Sequence, residues 1–450
     1  MTLQKYYSTI KNLQKDLVHI IGNIDGDVEV HDEQKLRASY IDKLVYTSAF
    51  AKSEGVREYA QNLIRKIARF SGAIPSSIHN VYMAIGKNEI NGFTVPAMNI
   101  RMLTYDVCRR VFKLAQKHNI GAFVFEIANT EQNYTDQQPS EYSASVLAAA
   151  VKERFKGPIF IQGDHYQFKR DIFTKDKDSE INRMKDLIKR SVEAEFYNID
   201  IDGSTLVDLG KGTVDEQQKN NYEMTGLMVD YIRSIEPKGI TISIGGEIGH
   251  IGGINSTVSD FEAFMNGLIN QPNYKEQTGI SKASAQTGTS HGGVLMPDGT
   301  MQQVDVDFSV LHDISEVAHS KYNIGGAVQH GASTLPEDLF NSFPQNGALE
   351  IHLATGFQNI FFDNLPDSLK QKMYTWIREN LQSERLEGQT DEQFIYTLRK
   401  KAHGPFKIDQ WMLSDSNKKT ILDSLESKFE LLFDRLNVFN TIEIVKKHVQ

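Results

Sequence analysis

Three histidines stand at matching places in three short apolar runs. His165 closes Pro158-Ile159-Phe160-Ile161-Gln162-Gly163-Asp164-His165, His291 lies in Gln286-Thr287-Gly288-Thr289-Ser290-His291-Gly292, and His330 lies in Ala327-Val328-Gln329-His330-Gly331-Ala332-Ser333. A neutral set of three imidazole nitrogens suits Zn²⁺ and leaves a coordination position for substrate. Glu247, in Gly245-Gly246-Glu247-Ile248-Gly249, is a further or alternate ligand, and His250 just beyond it is a weaker competitor. Asp164 precedes a candidate ligand. It could transfer a proton beside a metal-bound carbonyl or hydroxyl, or orient a ligand histidine. On a continuing strand its carboxylate would point away from the side of His165. Gly292, Gly331, Ala332, Ser333 and Thr355 form a second set, in which small residues expose backbone N–H groups and hydroxyls add donors, as a phosphate requires. For each residue alone, a hydrogen-bonded core histidine or a turn glycine is the competing explanation.

Chemistry of this kind needs many strand ends brought to one place. From about residue 92 short apolar runs alternate with amphipathic helical stretches. The runs are Val95 to Ile100, Gly121 to Ala128, Pro158 to His165, Phe196 to Ser204, Gly239 to Gly249, Ala283 to His291, Ile324 to Ser333 and Leu349 to Thr355. Thr104 is expected to cap the first helix between them. Eight such units predict a (β/α)8 barrel. A doubly wound open sheet is the competitor, but no Gly-rich fingerprint follows the first run. Asn99, Glu126, Asp164, His165, Asp202, Glu247, His291, His330 and His352 all fall at or near the C-terminal ends of the runs, where barrel enzymes build their sites.

Residues 1–90 are expected to form a helical N-terminal extension, without a strand pattern before about residue 85. Residues 91–365 form the barrel, and 366–450 a helical C-terminal extension. In the last of these, Leu398-Arg399-Lys400-Lys401-Ala402-His403-Gly404-Pro405 is a basic patch, either a solvated loop or a subunit or phosphate contact. The 450-residue chain carries a net charge of −9 with no long basic run, so a nucleic-acid partner is not expected. No apolar stretch reaches the roughly 20 residues of a membrane helix. One cysteine, Cys108, leaves no thiolate cage or internal disulfide, and a cytoplasmic protein is expected.

Gly163-Asp164-His165, Ile201-Asp202-Gly203-Ser204, Gly246 to Gly253, Gly288 to Gly292, His330 to Ser333 and Leu353-Ala354-Thr355 occur in this order. Together they resemble the zinc-dependent class II fructose-bisphosphate and tagatose-bisphosphate aldolases over roughly residues 90–365. The resemblance implies that His165, His291 and His330 hold the zinc, with Glu247 at or near it. It implies that Asp164 transfers the proton and that Gly292, Gly331, Ser333 and Thr355 hold the dihydroxyacetone phosphate end, with a monovalent cation assisting. Asn99, at the first strand end, joins the expected substrate contacts. Zinc would polarise the ketose carbonyl and stabilise the enediolate left by C–C cleavage. The expected partner is a phosphorylated ketose, the expected assembly a homo-oligomer.

The chain departs from this family at several positions. His352 stands where an asparagine is usual, and its charge near neutral pH would make it a catalytic group with its own limb in the pH profile. Ile254-Asn255-Ser256-Thr257 replaces an acidic pair, Gln162 replaces a histidine, and Phe125 to Asn129 is similar to the aldolase partner subunit thought to be non-catalytic. A non-catalytic subunit, or another metal-dependent barrel enzyme, is therefore the alternative. His165→Ala, His291→Ala and His330→Ala are each expected to remove most bound zinc, read by metal analysis of the purified protein, since losing one of three neutral ligands spoils the site. Full zinc occupancy in any variant would take that histidine out of the ligand set.

Overall fold

The computed structural model describes residues 5–249, 254–288, 296 and 306–449. Its centre is a closed barrel of eight parallel strands, each neighbour in sequence also a neighbour in space. With a preceding strand β1 (Ala73–Ser76), they are β2 (Val95–Asn99), β3 (Val124–Ala128), β4 (Gly157–Gln167), β5 (Asn198–Asp202), β6 (Ser243–Glu247), β7 (Lys282–Ala285), β8 (Ala327–Gln329) and β9 (Glu350–Leu353). β9 pairs back onto β2, with Glu350 opposite Val95, which closes the ring. The connections carry helices such as Thr104–Lys117, Pro139–Glu153, Lys177–Glu193 and Val214–Ile235, as βαβ crossovers require. The first helix is not capped by Thr104. Leu103 occupies the N-cap in a left-handed conformation, and the Thr104 hydroxyl instead donates to Gln137. Among the described residues no helix is long and apolar enough to cross a membrane.

The expectation of no strand before residue 85 is overturned by β1. It lies parallel to the first half of β4, with Ala73 opposite Gly157 and Ser76 opposite Phe160. β5 pairs only with the second half, from Gln162 onward. The lower part of the β4–β5 seam is therefore filled by β1. Four residues with Pro75 among them give little periodic signal, yet a proline is tolerated because β1 is an edge strand. Asn198 closes this seam. Its fully buried amide donates to the carbonyls of Ser76 (3.3 Å) and Ile161 (3.1 Å) and accepts from the Ile78 N–H (2.9 Å). The following helix, His79–Gly86, brings Tyr82 in under the barrel, where its hydroxyl donates to Glu350.

β4 departs most from expectation. It does not end at Asp164-His165 but runs on to Gln167, through an irregularity. Gly163 faces Ile199 while Tyr166 faces Ile201, so β4 spends one more residue than β5 between these pairs. His165 takes up the excess in a left-handed conformation, φ 44°. Strict alternation breaks there, and two consecutive side chains reach the same cavity.

Asn198→Ala removes three hydrogen bonds and leaves the three backbone groups they satisfied without that partner in a dry seam. A loss of about 3 kcal/mol or more is expected at a cost of 1–3 kcal/mol per group, read as a lower urea midpoint. A wild-type midpoint would mean that the seam does not depend on this amide.

Candidate active site

The barrel interior is ionic rather than apolar. On β5 the alternation Asn198-Ile199-Asp200-Ile201-Asp202 turns the polar side chains inward, and β9 repeats this with Glu350-Ile351-His352. In the lower tier Lys282 donates to Glu350 (2.5 Å), Asp200 (2.9 Å) and Gln162 (2.9 Å), all essentially buried. Burial alone would raise the Glu350 carboxyl, but Lys282 and His352 overcome it and hold it below the usual carboxylate range. Asp200 is pushed up by burial, against the pull of Lys282. No barrel strand ends in a lysine, and Lys282 opens β7 instead of closing it.

Above this tier His352 joins the two levels. Its Nε2 lies 2.6 Å from Glu350, and its Nδ1 lies 3.0 Å from Glu126 and 3.2 Å from Asp164. Burial opposes its charge, but Glu126 and Asp164 raise its pKa well above the ordinary histidine value. The ring stands inside the barrel, not between strand and helix, with its centroid 3.9 Å from that of His330. His330 in turn is 4.3 Å from the His165 ring, and its Nε2 is 3.0 Å from Ser284 Oγ. His165 Nδ1 lies 2.8 Å from Glu247 and 3.2 Å from Asp202.

These groups line one cavity of about 380 Å³ at the C-terminal mouth. Asn99, Asp164, His165, Glu247, His330, Gly331, Ser333, His352 and Thr355 all reach it. His291, Gly292 and His250 lie outside the described residues. Asn99 turns its amide to Glu131 (2.6 Å) and accepts from Arg101 (3.1 Å). Ser333 and Thr355 meet at the start of the helix Thr355–Asn364, where the Ser333 hydroxyl accepts from the Gly356 N–H at 3.2 Å. A Cβ on Gly356 would meet the Ser333 carbonyl oxygen, so only glycine lets the helix start this close.

Donor sets suited to a cation are present. Asp164, His165 and His330 each offer a ligand atom within 4.8 Å of the others, and so do His165, Asp202 and Glu247. Four buried carboxylates, Glu126, Asp164, Asp202 and Glu247, crowd these imidazoles. Burial and then Asp202 push Glu247 up to about 8. A divalent cation fits this excess of acceptors.

A family model described as fructose-bisphosphate aldolase class-II matches residues 80–409. The chain belongs to that family. Its membership supports an aldolase-type, C–C lyase activity. The match begins before β2 and runs past the barrel into the C-terminal extension. No curated protein matches the chain. A probable tagatose 6 phosphate kinase from Sinorhizobium meliloti 1021 is similar in fold, with a TM-score of 0.56 and 12% identity over 76% of this chain and 100% of that one. The fructose-bisphosphate aldolase of Campylobacter jejuni gives a TM-score of 0.48 and 16% identity, over 80% of this chain and 94% of that one.

The sequence places Glu126 and Asp202 at strand ends without a specific role and singles out nothing in the Lys282 tier, although the alternation on β5 and β9 marks an inward polar face. Arg101, in the loop after β2, and Glu131 and Tyr134, on the short helix Asn129–Tyr134, carry no comparable signal. Lys282→Met leaves two buried carboxylates without their cation and is expected to cost about 3–5 kcal/mol. Adding Glu350→Gln should recover part of that loss in the same urea titration. Unchanged stability in Lys282→Met would show that the lower tier does not hold the barrel interior together.

Proposed function

We propose that this protein is a metal-dependent aldolase that cleaves or forms a phosphorylated ketose, giving dihydroxyacetone phosphate and an aldehyde. The observation that supports it most is the meeting, in one cavity, of an imidazole–carboxylate cluster with Gly331, Ser333 and Thr355. His165 and His330, with Glu247 and by resemblance His291, would hold the cation. When bound, a divalent cation such as zinc supplies Lewis-acid polarisation of a substrate carbonyl.

The remaining work falls to side chains. Asp164 takes the proton from the hydroxyl beside the breaking bond, and a carboxylate placed by His352 at 3.2 Å is suited to that transfer. His352 positions Asp164 and carries positive charge toward the reacting carbons. Asp202 and Glu247 orient the His165 ring through its Nδ1. The Ser333 hydroxyl has accepted one hydrogen bond and keeps its own proton for a phosphate oxygen. The start of the helix at Thr355 adds the positive end of the helix dipole. Burial of the site strengthens each of these contacts.

A panel of phosphorylated ketoses incubated with zinc-loaded protein should release triose phosphate from at least one member, and complete chelation should abolish it. Asp164→Asn is expected to lower turnover by about 10² or more with zinc retained, the scale of a positioned acid or base. Zinc binding without cleavage of any ketose would favour a non-catalytic role for the scaffold. Activity surviving chelation would end the metal-dependent reading.

A further inference from the structure

Glu126 lines the cavity from β3 and is fully buried, yet the steps above leave it unused. Its two carboxyl oxygens are held differently. Oε2 accepts from the Gln162 amide at 3.1 Å and lies 3.0 Å from His352 Nδ1. Oε1 has no hydrogen-bond partner among the described residues. A buried carboxylate oxygen without a donor is costly, whereas the same oxygen bearing a proton is itself a donor.

The placement of Glu126 is fixed from several sides. On the barrel wall it stands opposite Asn99 of β2 and Gln162 of β4. Gln162 spends its oxygen on Lys282 at 2.9 Å, so its amide N–H groups turn to Glu126 and Glu350, each at 3.1 Å. The Tyr142 hydroxyl donates to the Glu126 carbonyl at 2.7 Å and holds the backbone. His352 Nδ1 faces two carboxyl groups, Glu126 at 3.0 Å and Asp164 at 3.2 Å. One N–H serves one acceptor at a time, so this nitrogen is a bridge by which a proton can pass between the two.

Cleavage of a ketose needs two proton transfers. One leaves the hydroxyl beside the breaking bond, and one arrives on the carbon that keeps the bonding electrons. We propose that Glu126 is the catalytic acid of the second transfer, and that His352 recharges it with the proton Asp164 has taken. The proposal rests on the aldolase reading for its substrate. The enediolate C=C pair becomes the new C–H bond, one enediolate oxygen becomes the carbonyl of dihydroxyacetone phosphate, and Glu126 is left as a carboxylate. The Nδ1 proton then moves to Glu126, and the Asp164 proton moves to Nδ1. The proton lost by the hydroxyl thus balances the proton gained by carbon.

Two rates of the zinc-loaded full chain separate this role from any other. The first is exchange of a hydroxymethyl hydrogen of dihydroxyacetone phosphate with D2O, followed by NMR, which runs the proposed transfer in both directions. The second is trapping of the enediolate by hexacyanoferrate(III) during cleavage of fructose 1,6-bisphosphate or tagatose 1,6-bisphosphate, whichever the wild type cleaves; it needs C–C cleavage but no proton on carbon. Glu126→Gln is expected to lower exchange by about 10² or more, the scale of a positioned acid or base, and to keep trapping within a few-fold of wild type. Should Glu126→Gln not fold or hold zinc, Glu126→Asp is judged by the same two rates, with exchange expected to fall more than trapping. Unchanged exchange, or an equal fall of both rates in a variant that keeps its zinc, would overturn the assignment of Glu126 alone. A wild type that neither exchanges the triose phosphate nor cleaves a ketose would end the aldolase reading and this step with it.

Discussion

Lys282 is the charge around which the barrel interior is arranged. A buried ammonium is costly unless it is paired and fully hydrogen-bonded. Here three strands supply the acceptors: Gln162 from β4, Asp200 from β5 and Glu350 from β9. Those strands come from different parts of the ring, so the cluster ties the barrel across its interior rather than along one seam. Tyr82 reaches Glu350 from below. Glu350 then fixes His352, and His352 fixes Asp164. The order of the cavity floor is thus inherited from an ion cluster one layer beneath it.

The irregularity in β4 is the second constraint. On a regular strand, Asp164 and His165 would face opposite sides. The extra residue and the left-handed His165 backbone let both reach the cavity. A non-glycine residue in that conformation is disfavoured, so it persists only where its surroundings over-determine it. Two carboxylates within 3.2 Å of the His165 Nδ1 are strong enough partners to do so.

What the sequence made legible follows from these two facts. Eight apolar runs with polar ends specified the barrel, since a parallel strand buried on both faces must be apolar along its length and its chemistry must collect at the mouth. Asn99, Asp164, His165, Glu247, His330 and His352 could be found for the same reason. Lys282 could not, because it starts a strand. β1 could not, because a four-residue edge strand with a proline has almost no period to detect. The irregularity at Asp164 has no local marker either: its backbone is set by cross-strand register with β5 and by the carboxylates around His165.

The terminal extensions were opaque for a further reason. Their helices show ordinary amphipathic spacing, which says that one face is covered but not by what. The covering surfaces turn out to be the barrel itself. The N-terminal segment supplies β1 and Tyr82 to its lower end, and Lys418 of the C-terminal helix Asp415–Arg435 donates to Asp106 at 2.6 Å. With that helix fixed against the barrel, the preceding segment has little freedom, and it passes over the mouth with Tyr396, Thr397 and Lys400 facing in. The barrel therefore supplies the floor of the cavity, and chain from outside the eight strand–helix units supplies part of its wall.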